Sequence, residues 1–408
     1  MTSEALVMNE HGVVIAADSI ATKDCKTFRT RKIFELSKNQ PVAIMVYGTS
    51  NICSVPIEMI ISEYRRKIGE QTFDHLSDYA EDLIDFIKKL GSNIHSANPL
   101  ITSEHMKFNF TKNVYTLIKT INSNVTKYIQ SCKIKPNDNE MILNQYLEKV
   151  CRITSEKIDL EERKALLDQI KEMIQSPDDN IILEALDIWN DVKIREMILT
   201  LFANTIISHE SMNNTGLVIV GYGSEDYTPS FAEYCIYDLF PNKLYYKKKE
   251  HIQINAELRS FIGTFAQDRA MKTFIKGIDP VILETIKKEI DRKMSAFLDI
   301  IDDNDSGEKH YSLLLEKEKL IKEIDNVIFQ TVYREYDQPL NSTITLLSKK
   351  EMSTFAEFLV QTAVMNCHLS KEIESVGGPI DVVSICKDDG FIWMKGTNIS
   401  MECNEINT

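Results

Sequence analysis

The sequence predicts an α+β fold, and three observations carry that prediction. β-prone runs stand at both ends of the chain, at 3–19 and 376–393, and long stretches between them repeat apolar residues at helical spacing. Composition is the third: hydrophobic residues make up 43% of the 408 and charged ones 26%, enough apolar surface to offset chain entropy. Such a length allows two or three domains, or one domain carrying insertions.

The first element is a hairpin. Ala5-Leu6-Val7-Met8 and Val13-Val14-Ile15-Ala16-Ala17 are β-prone, and the polar gap Asn9-Glu10-His11-Gly12 supplies a turn glycine. A hairpin that begins so early predicts an amino terminus tied into a sheet, because loose termini fray. Two helices are expected next, since Ile57, Ile60, Ile61 and Tyr64 share one helical face, as do Leu76, Tyr79, Ala80, Leu83, Ile87 and Leu90. Ile142, Leu143, Tyr146, Leu147 and Val150 form a further stripe, and Ala356, Leu359, Val360 and Ala363 another.

Charge and cysteine usage exclude several classes. A net charge of −14 and a pI near 5.2 argue against a nucleic-acid partner, which needs a basic face. The one basic run, Lys247-Lys248-Lys249, is short, is followed by Glu250 and reads as a solvated strand end. The eight cysteines contain no C-x-x-C pair, so the common zinc and redox spacings are absent; reduced thiols and a cytoplasmic location are expected. No apolar run is long enough to cross a bilayer. Asp302-Asp303-Asn304-Asp305-Ser306-Gly307 mimics half of a calcium loop, yet the twelfth position is Leu313 and not a bidentate Glu. Gly221-x-Gly223 lacks the third glycine of a dinucleotide fingerprint, and Cys367-His368 are helix neighbours pointing about 100° apart. No cofactor or metal is expected.

Thr2 is a candidate nucleophile. Its small side chain permits removal of Met1, which leaves a residue holding both a hydroxyl and a free α-amine. With a reference pKa of about 7.7 to 8.0, that amine can take the hydroxyl proton near neutral pH, so the residue is its own base.

The run from Thr2 to Thr22, with Gly12-Val13-Val14-Ile15-Ala16-Ala17-Asp18-Ser19-Ile20-Ala21-Thr22 at its end, resembles the opening of mature proteasome β subunits and their HslV-type relatives. Arg31-Lys32-Ile33-Phe34-Glu35-Leu36 is similar to that family's lysine segment, and Ala43-Ile44-Met45-Val46-Tyr47-Gly48 to its strand ending in a glycine. Thr215 to Gly223, and Val376-Gly377-Gly378-Pro379-Ile380-Asp381, look like later family strands. The resemblance implies a four-layer αββα sandwich of two mainly antiparallel sheets. It spans 1–92, 206–268 and 354–408, with helical insertions at 93–205 and 269–353.

The same resemblance implies a threonine hydrolase that cleaves amide bonds, with peptides as the expected substrates. Thr2 is the expected nucleophile, Lys32 the cation that favours its deprotonated form, Asp18 the partner that orients Lys32, and the Gly48 amide the oxyanion donor. Thr264 matches a family serine weakly. In Glu372-Ile373-Glu374-Ser375-Val376-Gly377-Gly378 the family's supporting serine aligns with Val376, which leaves Glu374 or Glu372, and Ser375, as candidates. A homo-oligomer, a ring included, and an ATPase partner are further expectations of the family. Two other functions stay open: an amidase for a small molecule enclosed by the insertions, and a catalytically silent scaffold.

Overall fold

Two antiparallel sheets of five strands organise the chain in the computed structural model. The structure describes residues 2–23, 26–52, 55–97, 114–121, 123–124, 139–155, 158–174, 192–208, 214–240, 243–302, 307–370 and 376–396. From the amino terminus come β1 (Ser3–Asn9), β2 (Gly12–Asp18), β3 (Ile20–Lys23), β4 (Lys26–Arg29), β5 (Ile33–Glu35) and β6 (Val42–Gly48). The short β7 (Asn51–Ile52) and β8 (Val55–Pro56) lead into helices α1 (Ile57–Ile68) and α2 (Leu76–Ala97). Helices α3 (Asn139–Ser155), α4 (Leu160–Ile174) and α5 (Val192–Ile207) precede β9 (Thr215–Gly221), β10 (Ser230–Phe240), β11 (Lys243–Gln253) and β12 (Ser260–Ala266). After them come α6 (Arg269–Lys276), α7 (Pro280–Asp302), α8 (Gly307–Val332), a π-helical turn (Tyr333–Asp337), α9 (Gln338–Ile344), α10 (Lys349–Leu369), β13 (Ile380–Cys386) and β14 (Gly390–Lys395).

One sheet has the strand order β12-β1-β2-β13-β14, the other β11-β10-β9-β6-β5. Residues 5–8 of β1 and 13–17 of β2 read as continuous apolar runs because both of their faces are covered. Leu6 and Met8 of β1 enter a cluster shared with Met45, Val218 and Phe231 of the second sheet, whereas Ala5 and Val7 enter one shared with Met271 of α6 and Leu359 of α10. The outer face of the second sheet is filled by Ile44, Leu217 and Ala232 against Ile60, Tyr64, Tyr79 and Leu83. The α1 and α2 stripes expected from periodicity therefore sit on that sheet, and α10 on the other.

The β1–β2 hairpin closes with Asn9 opposite Gly12. Asn9 also accepts from the His11 N–H at 2.9 Å and donates from Nδ2 to the Ile344 and Leu347 carbonyls at 2.8 and 2.9 Å, which joins the turn to the segment ahead of α10. That helix starts with a capping box: Ser348 accepts from the Glu351 N–H, and the Glu351 side chain accepts from the Ser348 N–H. Helices α3 to α5 and the helical segment 114–121 build a cluster around Val114, Ile118, Leu147, Leu166, Ile170 and Phe202, to which β11 contributes Tyr245. The calcium-like turn falls at 303–306, outside the described residues. Among those described, no helix is long and apolar enough to cross a membrane.

Candidate active site

The site forms where β1 begins, β2 ends and the segment ahead of β5 crosses from one sheet to the other. Thr2 is 6% exposed, and its carbonyl accepts from the Gln267 N–H at 2.9 Å, just past the end of β12. The next residue reaches Asp18: the Ser3 N–H donates to Asp18 Oδ1 at 2.8 Å. Lys32 Nζ donates to the same oxygen at 2.6 Å and to the Ile20 carbonyl at 2.8 Å. The third donor is the Gly377 N–H, at 3.0 Å from Asp18 Oδ2. Both ends of the described chain thus meet on one carboxylate.

That carboxylate and the ammonium are buried together, with side chains 0% and 5% exposed. Burial pushes Lys32 down from its ordinary pKa, against the opposing pull of Asp18, which is both its ion-pair and hydrogen-bond partner, and of Glu4 and Asp381. An ammonium has three N–H donors, and Asp18 and Ile20 account for two.

Gly48 ends β6 opposite Thr215. The Val46 N–H donates to the Lys32 carbonyl at 2.9 Å, so the chain bearing Lys32 runs beside the strand that ends in Gly48. Gly48 has φ of +86°, and a Cβ there would overlap the Asn214 carbonyl oxygen, so only glycine fits without moving β9. The turn after Val376 is equally tight. A Cβ on Gly378 (φ +76°) would meet Ile20 at 2.9 Å and Ser19 Oγ at 3.0 Å, while Ser19 Oγ donates to the Pro379 carbonyl at 2.7 Å. This packing brings the Gly377 amide onto Asp18.

Of the residues singled out from sequence, Asp18 and Lys32 pair directly, Thr2 precedes the Ser3 amide that binds Asp18, and Gly48 lies two residues past Val46, whose amide binds the Lys32 carbonyl. Thr264 does not join them. It pairs with Ala5, on the face that packs against helices, and its hydroxyl donates to Asp268 at 3.4 Å. Glu372, Glu374 and Ser375 lie outside the described residues, and Val376 is buried. A cleft of about 880 Å³ is bordered by Gln267, Asp268, Phe358 and Asn366; Thr2 does not line it, though its carbonyl accepts from the Gln267 N–H. The cleft contains neither Lys32 nor Gly48.

Sequence inspection missed the acidic surroundings of Lys32. Glu4 is 0% exposed on the face of β1 turned toward the second sheet, the same face as Leu6 and Met8, with both carboxyl oxygens lacking a hydrogen-bond partner among the described residues. Asp381 is also buried. The Tyr47 hydroxyl donates to Glu233; Lys247, Lys248 and Lys249 are exposed, as expected of a solvated run, and Lys249 also reaches Glu233 Oε1 and the Tyr47 hydroxyl, each at 3.4 Å. A charged residue directly ahead of the apolar run Ala5-Leu6-Val7-Met8 was the available signal for Glu4. No cluster of His, Cys, Asp or Glu suited to a metal occurs among the described residues.

No protein-family model matches the sequence, and no curated protein does. Solved structures that align with it include the helical assembly of the Anbu complex from Pseudomonas aeruginosa, at 9% identity over 99% of this chain and 92% of that one, with a TM-score of 0.30. Anbu from Yersinia bercovieri, described as an ancestral β-subunit, aligns at 10% identity over 99% and 96%, with a TM-score of 0.27. Anbu from Hyphomicrobium sp. strain MC1 aligns at 8% identity over 100% and 94%, with a TM-score of 0.25. The proteasome β-subunit and HslV-type label taken from the N-terminal motif is corrected by these matches, which carry the Anbu name. A short motif around Thr2, Asp18 and Lys32 is too little sequence to fix a family label. At TM-scores this low, the alignments carry no argument about the chemistry of the site.

Proposed function

We propose that this chain is an N-terminal-nucleophile hydrolase that cleaves amide bonds, peptides first among them, through Thr2 after loss of Met1. The observation that supports it most is the single Asp18 carboxylate held by the Lys32 ammonium and by the amide of Ser3, the residue next to Thr2. A backbone amide and a buried cation on one oxygen tie the start of the chain to the charge its nucleophile needs.

The chemistry proceeds in two halves. The Thr2 amine takes the Oγ proton as Oγ attacks the amide carbonyl, the Lys32 ammonium stabilising the developing alkoxide and the Gly48 N–H the oxyanion. Collapse expels the amine, which leaves with that proton and an ester on Thr2. Water then attacks the ester with the Thr2 amine again as base, which releases the acid and restores the hydroxyl. Asp18 keeps Lys32 charged and aimed.

The three apolar clusters on and between the sheets are what a four-layer αββα arrangement requires, and we read 93–205 and 269–353 as helical insertions into it. Self-association into a homo-oligomer belongs to the same proposal, and native mass tests it. The primary experiment is intact mass followed by labelling with a threonine-directed electrophile and peptide mapping. Loss of Met1 and modification of Thr2 are expected, with Thr2→Ala abolishing both labelling and peptide hydrolysis. Hydrolysis unchanged in Thr2→Ala would overturn the proposal, and retained Met1 would favour a silent scaffold.

A further inference from the structure

We propose that Glu4 is a positioning residue that acts through Lys32, a second carboxyl on the nucleophile's own strand that keeps the buried ammonium charged. The proposal rests on the hydrolase function above for its effect on rate, while the burial of Glu4 and its place in the sheet stand independently.

Strand periodicity sets the arrangement. Glu4 is the second residue of β1 and shares the face of Leu6 and Met8, directed toward the second sheet, two positions after Thr2. Glu4 lies opposite Ala17 on β2 and Phe265 on β12, and Ala17 lies opposite Asp381 on β13. The one-carbon side chain of Ala17 leaves room between the two acids. Full burial of an unpartnered carboxyl costs stability that an apolar side chain there would not. A strand this apolar keeps such a group against its folding interest, which points to a functional demand.

The neighbouring charges leave Lys32 as its counterpart. Asp18 of β2 is already committed to Ser3, Gly377 and Lys32. Glu233 of β10 is held by Tyr47 of β6 and Lys249 of β11. Burial raises the Glu4 pKa well above the usual carboxylate range; Lys32 is the one neighbour that opposes this, while Asp18 and Glu233 add to it. Glu4 and Asp381 in turn help hold the proton on Lys32 against burial. Once ionised, Glu4 delays loss of the Lys32 proton as pH rises, and so extends the alkaline range in which Thr2 stays activated.

The test uses Met1-free full-length protein and an epoxyketone probe, with labelling rates taken across about pH 6 to 10. Two variants are compared: Glu4→Gln, which keeps the shape, and Glu4→Met, which removes the burial cost and guards against failure to fold. Both should label within about twofold of wild type near neutrality and at least about threefold more slowly near pH 9, as the alkaline limb moves down. An unshifted limb, or a loss uniform in pH, would overturn the proposal. If wild-type protein does not label, the hydrolase function fails on its own, and Glu4 is judged by denaturation midpoints of Glu4→Met, Lys32→Met and the double variant. Non-additive midpoints support the pairing, and additive ones reject it.

Discussion

At the scale of residues, the site depends on one carboxylate doing three jobs. Asp18 compensates a buried ammonium, anchors the amide of Ser3 and anchors the amide of Gly377. Asp18→Asn keeps the shape but leaves Lys32 buried without its counter-charge, a change that costs about 3 to 5 kcal/mol when a buried pair loses one partner. Urea denaturation near neutral pH measures it, and a loss below about 1 kcal/mol would mean that Lys32 turns to solvent or to another acid. Glu4 gives a pH dependence of defined sign. Its folded pKa lies above its unfolded value, so its contribution is intact below the unfolded pKa of about 4.3 and is lost as pH rises through the folded one. Glu4→Gln has no such titration, so the melting temperature of the variant minus that of wild type should grow as pH rises from about 4.5 toward 8. A constant difference would place the wild-type carboxylate in contact with water.

Among the elements, those set by local pattern were legible in the sequence and those set by distant pairing were not. The β1–β2 hairpin followed from two β-prone runs around a polar gap, and Ile57, Ile60, Ile61 and Tyr64 of α1 from helical spacing; all four of these α1 residues are buried. Asp18, Lys32 and Gly48 could be singled out because three short segments near the start of the chain, 2–22, 31–36 and 43–48, each resemble a known family in the same order. The Gly377 contact with Asp18 joins positions 359 residues apart, and the Tyr47, Glu233 and Lys249 network joins three strands of one sheet, so no window of sequence holds either. Thr264 shows the converse: a match by order along the chain put it near the nucleophile, but strand parity turns it toward Asp268. Gly48 was legible as a glycine though not as a constraint. At φ of +86°, with the Asn214 carbonyl standing where its Cβ would go, Gly48→Ala forces the ends of β6 and β9 apart. The expected cost is about 1 to 3 kcal/mol, read as a lowered melting temperature, together with slower labelling of Thr2. A variant with unchanged stability would show that the β6 end relaxes freely.

For the whole molecule, the distribution of apolar clusters predicts where the fold gives way first. β1, β2 and β13 are buried on both faces, between a cluster shared with the second sheet and one shared with α6 and α10. The cluster of α3, α4, α5 and the helical segment 114–121 is largely helical: Val114, Ile118, Leu147, Leu166, Ile170 and Phe202 belong to it, and the second sheet enters through Tyr245 and the partly buried Tyr237. A unit joined to the rest by so little apolar surface can open without unfolding the sheets, at a free energy below the global value. Asp18 sits in the other unit, fastened by amides from both ends of the described chain. Hydrogen exchange followed by mass spectrometry should therefore find amides of 139–174 and 192–207 exchanging well before those of 3–18 and 380–386. Cutting the link with Tyr245→Ala should widen the gap by speeding the helices while leaving the strands unchanged. Equal exchange in the two regions, or strands that speed up with the helices in the variant, would mean that the helices and sheets fold as one cooperative block.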